Sequence, residues 1–385
     1  MDISKAIKYV GVDDLDIDLF ESQYVVPDGM AYNSYVIIDE KIAIIDTVDE
    51  RKGKEWWANV RNLLSGKEPD YLVVQHMEPD HASLIAEVVA CYPEVKVVAT
   101  AKALQMLPQF FSGVDFSSNC CPVKEGDTLS LGEHTLQFFT APMVHWPEVM
   151  VSYEQHEKVL FSADAFGKFG ALCNEGAWDC EARRYYINIC GKYGVQVQAL
   201  LKKAATLDIK TICPLHGPVL TENLGHYIGL YDIWSKYEPE TEGVLVAYAS
   251  IHGGTAAAAE KLADILRAKG APKVVATDLS RCDMAEAVED AFRYSRLAVC
   301  AASYDADVFP PMYDFLHHLR LKNFQNRKVA VMENGSWAPT AGRVMRSLLE
   351  GMKNIEIVEP MVTIRSRMKA DDVPAMEQMA AALLA

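Results

Sequence analysis

Apolar runs of four or five residues, cut by short polar turns, open the chain. Tyr35-Val36-Ile37-Ile38 is followed by Asp39-Glu40-Lys41 and then by Ile42-Ala43-Ile44-Ile45-Asp46, a spacing that predicts a β-hairpin. Tyr71-Leu72-Val73-Val74 and Val95-Lys96-Val97-Val98-Ala99 predict two further strands, and the helical spacing over 82–92 predicts a helix between them. Strands with intervening helices imply a layered α/β architecture.

The pattern changes after the polar, Pro-bearing stretch Tyr231-Asp232-Ile233-Trp234-Ser235-Lys236-Tyr237-Glu238-Pro239-Glu240, which reads as a linker. From Val244 the rhythm is regular. Strands VLVAYAS, KVVATDLS, RLAVCAAS, KVAVMEN and IEIVEP alternate with helical stretches near 255–269, 284–294, 311–321 and 340–352. Parallel neighbours need crossover connections, so this predicts a doubly wound sheet with a cofactor at the carboxyl ends of its strands. The expected domains are 1–242 and 243–385, with an Ala-rich C-terminus that frays.

Charge sharpens that division. The formal net charge is -16. Residues 243–385 hold 17 Lys+Arg and 17 Asp+Glu, so the whole excess falls on 1–242, with 20 against 36. Such a balance repels nucleic-acid phosphates and anionic membrane surfaces. With no apolar run near the ~20 residues of a membrane span and no signal-peptide pattern, a soluble cytoplasmic protein is expected. Nine cysteines without any Cys-x-x-Cys argue against a disulfide framework, a zinc ribbon or an iron-sulfur cluster and for reduced core thiols.

The densest chemistry is His76-Met77-Glu78-Pro79-Asp80-His81, just after an apolar run. On a strand-terminal loop, alternate residues 76, 78 and 80 can project to one side while His81 turns toward a second ion. Imidazoles mixed with carboxylates suit a first-row metal pair. His145, Asp164 and His216 stand at or just after further apolar runs. Taken singly, each is more simply a capping or core-polar residue; together, in this order, they resemble the metallo-β-lactamase superfamily, whose usual motif is His-x-His-x-Asp-His. Glu78 replaces the second His of the zinc hydrolases, adding an oxygen donor and negative charge, which favours iron. With it the series resembles the flavodiiron proteins. That resemblance implies His76, Glu78 and His145 on one iron, Asp80, His81 and His216 on the other, and Asp164 bridging. Gln75 and Ala82-Ser83 depart from the commoner flanking residues without removing a ligand.

In the second domain, Ser250-Ile251-His252-Gly253-Gly254-Thr255 links a strand to a helix. Small residues let a phosphate approach the helix N-terminus, where N–H groups and the Ser250 and Thr255 hydroxyls can donate. Alone, such a loop is an ordinary turn. Two more strand ends carry Ser303-Tyr304-Asp305 and Asn334-Gly335-Ser336-Trp337-Ala338, each with an aromatic able to cover a flat ring. The set is similar to flavodoxin, which implies FMN, with the first loop on its phosphate and the later two beside the isoalloxazine. His252 stands where relatives often have another residue.

The two resemblances imply an αββα sandwich of metallo-β-lactamase type followed by a flavodoxin-like doubly wound sheet, two Fe and one FMN per chain. They imply reduction of dioxygen or nitric oxide, with no catalytic residue beyond the metal ligands. The alternative is a zinc-dependent hydrolase carrying a flavodoxin-like electron-carrier or regulatory domain. Without a rubredoxin module of its own, the chain would need an external donor such as rubredoxin or a flavin reductase. The size rule for compact domains places two side-by-side centres about 40 Å apart. The family arrangement, supported by the charge split, is a head-to-tail homodimer or dimer of dimers.

Overall fold

The strand Thr135–Thr140 shows how the first half of the chain closes. Leu136 and Phe138 join a buried cluster shared with Ile37, Ile45, Val73 and Val98, whereas Phe139 points to the opposite face. Alternation of this kind is what a strand produces when both faces of its sheet are covered. The computed structural model describes residues 2–174 and 176–385, which form two compact units, Met1–Asp232 and Ile233–Ala385.

In the first unit a six-stranded sheet runs in the order Ile7–Tyr9, Tyr35–Ile38, Ile42–Ile45, Tyr71–Val73, Lys96–Thr100, Cys120–Val123. A five-stranded sheet runs Thr128–Ser130, Thr135–Thr140, Met150–Glu154, Val159–Phe161, Thr211–Cys213. Their inner faces share one core. Amphipathic helices cover the outside: Gly53–Leu64 buries Trp56, Trp57, Val60 and Leu64, and Gly194–Ala204 buries Val197. The layers are those of the expected αββα sandwich. The predicted hairpin pairs Ile38 with Ile42 and Tyr35 with Ile45.

The second unit has strand order Val274–Asp278, Thr241–Ala249, Tyr294–Tyr304, Arg327–Asn334, Ile355–Ile357, all parallel. The first strand in sequence therefore lies second in space, and the winding reverses beside it. Helices Gly254–Ala268 and Val373–Leu384 cover one face; Met284–Arg293, Pro310–Leu321 and Ala341–Glu350 cover the other.

Three local expectations need correction. The C-terminus does not fray: Val373–Leu384 is a helix whose Met376, Met379, Ala380 and Leu383 are fully buried, because four apolar side chains at 3–4-residue spacing find a sheet face to cover. The expected linker is shorter than its composition suggests, since Leu224–Ser235 is helical and Tyr231 and Trp234 are buried. Asp80 and His81 lie in a short helix, Pro79–Ala82, and not on an extended loop.

Candidate functional site

That helix sorts the motif. After Tyr71–Val73 the chain leaves the sheet, and the Gln75 and His76 amides donate to Asp46 Oδ1 at 2.8 and 3.4 Å. Pro79 at the first helical position, with Glu78 as N-cap, fixes φ for a turn of helix. The turn swings Asp80 away from His76 and Glu78, so the expected one-sided alternation of 76, 78 and 80 is broken. Donor atoms of His76, Glu78, His145 and Asp164 gather in one group, and those of Asp80, His81 and His216 in a second. His145, Asp164 and His216 arrive from loops that follow Thr135–Thr140, Val159–Phe161 and Thr211–Cys213.

Distances within the groups are short and regular. His76 Nε2 lies 3.2 Å from Glu78 Oε2 and 3.3 Å from His145 Nε2; His145 Nε2 lies 3.0 Å from Glu78 Oε2. His81 Nε2 is 3.1 Å from His216 Nε2, and each is 3.3 Å from Asp80 Oδ2. Asp164 divides its oxygens: Oδ2 is 3.2 Å from His145 Nε2 and 3.5 Å from His76 Nε2, while Oδ1 is 3.2 Å from His81 Nε2 and 3.9 Å from His216 Nε2. Metal bonds of about 2.1 Å at tetrahedral to right angles place neighbouring donors roughly 3.0–3.4 Å apart.

The hydrogen bonds orient the imidazoles. His76 Nδ1 lies 2.8 Å from Glu148 Oε1, which also accepts from Met77 N at 2.9 Å. An ionised carboxylate only accepts, so Nδ1 carries the proton and Nε2 keeps its lone pair for the site. His216 Nδ1 likewise donates to the Ala31 carbonyl at 2.8 Å. Nitrogen lone pairs and carboxylate oxygens thus converge, and both oxygens of Asp80 and of Asp164 are buried without a hydrogen-bond donor among the described residues. A buried acceptor cluster of this kind is costly unless cations occupy it.

Protonation follows the same crowding. Burial acts against the Asp164 carboxylate, but His76, His145 and His81 hold it well below the usual range. Burial pushes Asp80 up to about 7, with Glu78 and Asp164 adding to the push. Burial would lower His145, yet its contacts with Asp164 and Glu78 carry it to about 9. Burial holds His216 below its ordinary value, in accord with a neutral ring.

Sequence reasoning missed Glu148, Asp46 and the Ala31 carbonyl, which touch ligands and not the ions. It also missed Glu21, an exposed carboxylate that the nearby Glu78 charge raises above its ordinary value.

The second constellation belongs to the other unit. Its three loops leave the carboxyl ends of adjacent strands, Thr241–Ala249, Tyr294–Tyr304 and Arg327–Asn334. Gly253 N donates to Ser250 Oγ at 3.1 Å. Gly253 has φ 84°, and a Cβ on Gly254 would meet Ser366 O at 2.4 Å, so the turn into the helix requires both glycines. Thr255 is buried, while Ile251, His252 and Tyr304 are exposed and Trp337 is 91% exposed. Tyr304 pairs with Asp307 across a tight hairpin whose turn residues, Asp305 and Ala306, are left-handed. Ser303 Oγ accepts from Thr340 N and Ala341 N. Asn334 exchanges bonds with the backbone of Ser366. Ser336 Oγ meets Ser366 Oγ, and Gly335 and Ala338 complete that loop. Ser366, unsuspected from sequence, thereby ties the first and third loops together. Two uncovered aromatics beside a helix N-terminus fit a flat, phosphate-bearing ring system.

A family model described as ODP family beta lactamase matches residues 30–217. The nitric oxide reductase of Moorella thermoacetica is 30% identical over 96% of this chain and 94% of its own length. The anaerobic nitric oxide reductase flavorubredoxin of Escherichia coli is 28% identical over 87% of this chain and 72% of its own. Rubredoxin oxygen:oxidoreductase of Desulfovibrio gigas superposes with TM-score 0.93 at 25% identity, covering 100% of this chain and 97% of that one. The flavodiiron protein of Giardia intestinalis gives 0.93 at 24% identity, over 99% and 95%, a likeness of fold. Among the described residues no helix is long and apolar enough to cross a membrane.

Proposed function

The chain belongs to the flavodiiron protein family, and we propose that it reduces dioxygen to water, nitric oxide to nitrous oxide, or both. The observation that carries this reading is the division of Asp164 between two histidine pairs, with Glu78 adding a third carboxylate to the set. His76, Glu78 and His145 would hold one iron, Asp80, His81 and His216 the other, with Asp164 across both. FMN would lie against Tyr304 and Trp337, its phosphate at Ser250 to Thr255.

When bound, two irons and FMN supply the four electrons that with four protons take dioxygen to two waters, or the two that with two protons join two NO as N2O and water. The chain's own work is positional. Glu148 and the Ala31 carbonyl fix which imidazole nitrogen faces the site, and Asp80 and Asp164 are buried away from bulk water. Seven protein donors shared between two ions leave coordination positions open to a small ligand.

Reduction of the flavin falls to a separate donor, for which rubredoxin or a flavin reductase is the chemical fit. A head-to-tail homodimer or dimer of dimers is proposed on the charge split, which sets an acidic unit against a neutral one. The hydrolase alternative is not favoured by relatives named as nitric oxide reductases.

Metal analysis combined with anaerobic NO consumption and oxygen uptake, using one artificial donor, tests the reading. About two irons per chain and turnover of at least one gas are expected. Glu78→His should shift the metal content toward zinc and suppress gas reduction. Zinc-only protein that hydrolyses an ester or thioester would overturn the proposal.

A further inference from the structure

The first unit contains two cavities that share part of their walls. The outer one, a narrow gap partly open to solvent, lies between the five-stranded sheet and the helix Gly194–Ala204. Leu201 and Ala204, partly exposed, stand at its outer wall. The inner one, smaller still, reaches His145 and Asp164. Val144, Ala165 and Tyr231 line both.

The outer cavity is apolar by construction. The polar residues in its wall have their polar atoms engaged elsewhere. Ser162 Oγ donates to Ala165 O at 2.7 Å, Tyr231 OH accepts from Phe166 N at 2.7 Å, and Lys203 Nζ bonds Glu125 Oε2 at 2.9 Å and Thr140 O at 2.8 Å. A cavity lined by carbon stays dry and admits small apolar solutes such as xenon. The cluster at Glu78 differs in character: Glu78, the most exposed of the seven donors, interacts with Glu21. An acidic, wetted side suits ions and protons; a carbon-lined side suits uncharged diatomics.

Resting on the gas-reducing reading above, we infer that the two cavities form an entry path for the substrate gas. The path runs from the surface beside Leu201 and Ala204, through the neck at Val144, Ala165 and Tyr231, to the faces of His145 and Asp164.

Xenon-pressurised crystals of the iron-loaded protein test the path directly. Xenon is expected in the outer cavity near Val197 and in the inner one near Ile189. Ala204→Phe, or Leu201→Trp should the first not fold, should displace the outer xenon. It should also lower kcat/KM for the gas about tenfold while turnover at saturating gas and iron content hold. Gln196→Trp, which puts the same bulk on the exposed side of that helix, should change neither. Absence of xenon from both cavities, or an unchanged KM with the outer cavity filled, would overturn the inference. A loaded protein that reduces neither gas would sink the proposed reaction instead, and xenon occupancy would then decide the path by itself.

Discussion

His76 Nδ1 donates a hydrogen bond to Glu148 Oε1 at 2.8 Å, and through that bond a residue outside the two donor groups determines where Nε2 points. Burial alone would lower the His76 imidazole, but Asp164, Glu148 and Glu78 carry it well above its ordinary value. With a cation in place of the Nε2 proton, the bond would select the tautomer as well as the orientation.

Replacing Glu148 by Ala should free the His76 ring and cost about 10–100-fold in metal affinity at the site it serves. Chelator competition, read as iron retained per chain, would show the loss. Glu148→Gln, whose amide oxygen can still accept from Nδ1, should retain more iron than the Ala variant. Equal retention in all three proteins would show that the ring is held by its packing.

Most of the His, Asp and Glu cluster was legible because each member sits at or just after an apolar run, and a strand end is where a side chain can leave the sheet toward a site. The grouping was less legible. Alternation along an extended chain puts Asp80 with His76 and Glu78, and only the turn of helix begun by Pro79 sends it to His81 and His216. Glu148, Asp46 and Ser366 act through other residues, so no motif spacing announces them. The five parallel strands of the second unit were read almost to their ends, since buried parallel strands are nearly continuous in apolar residues. The C-terminal helix was misread because its alanines drew the eye from Met376, Met379 and Leu383.

That helix supports the second unit from one face. Met379 is fully buried among Met376, Leu383 and the Gly254–Ala268 helix. Met379→Ala should cost about 2–5 kcal/mol of that unit's stability, the usual range for emptying a buried methionine site. Differential calorimetry of the FMN-free protein should show the transition of this unit displaced downward. An unmoved transition would mean that the helix docks without contributing.

Ser250 and Thr255 changed together to Ala should weaken FMN by about tenfold or more while riboflavin loses little, because hydroxyl donors to a phosphate matter only to the phosphorylated ligand. Quenching of flavin fluorescence on titration measures both affinities. An equal loss for the two ligands would place the phosphate on another loop.

The last prediction concerns a clamp remote from both sites. His134, in the turn before Thr135–Thr140, donates from its backbone and ring to Asp39 at 2.7 and 2.8 Å and reaches Glu157 at 3.1 Å. Glu157 also accepts from Ser4, so one imidazole ties together turns of both sheets and the N-terminal segment. Glu154, Glu133 and His156 face the same cluster. Burial pulls His134 down, but the bonds to Asp39 and Glu157 outweigh it and raise the group above its ordinary value. A pKa raised in the folded state means that the stabilisation is complete below the unfolded imidazole's pKa of about 6.5 and is lost as pH rises through the higher folded value. Urea midpoints of the first unit's transition should therefore fall from slightly acid toward alkaline pH more steeply in the unaltered protein than in His134→Gln. The two profiles should converge at the alkaline end, where the unaltered ring is neutral. Parallel profiles across the whole range would show that the imidazole holds the turns without its charge.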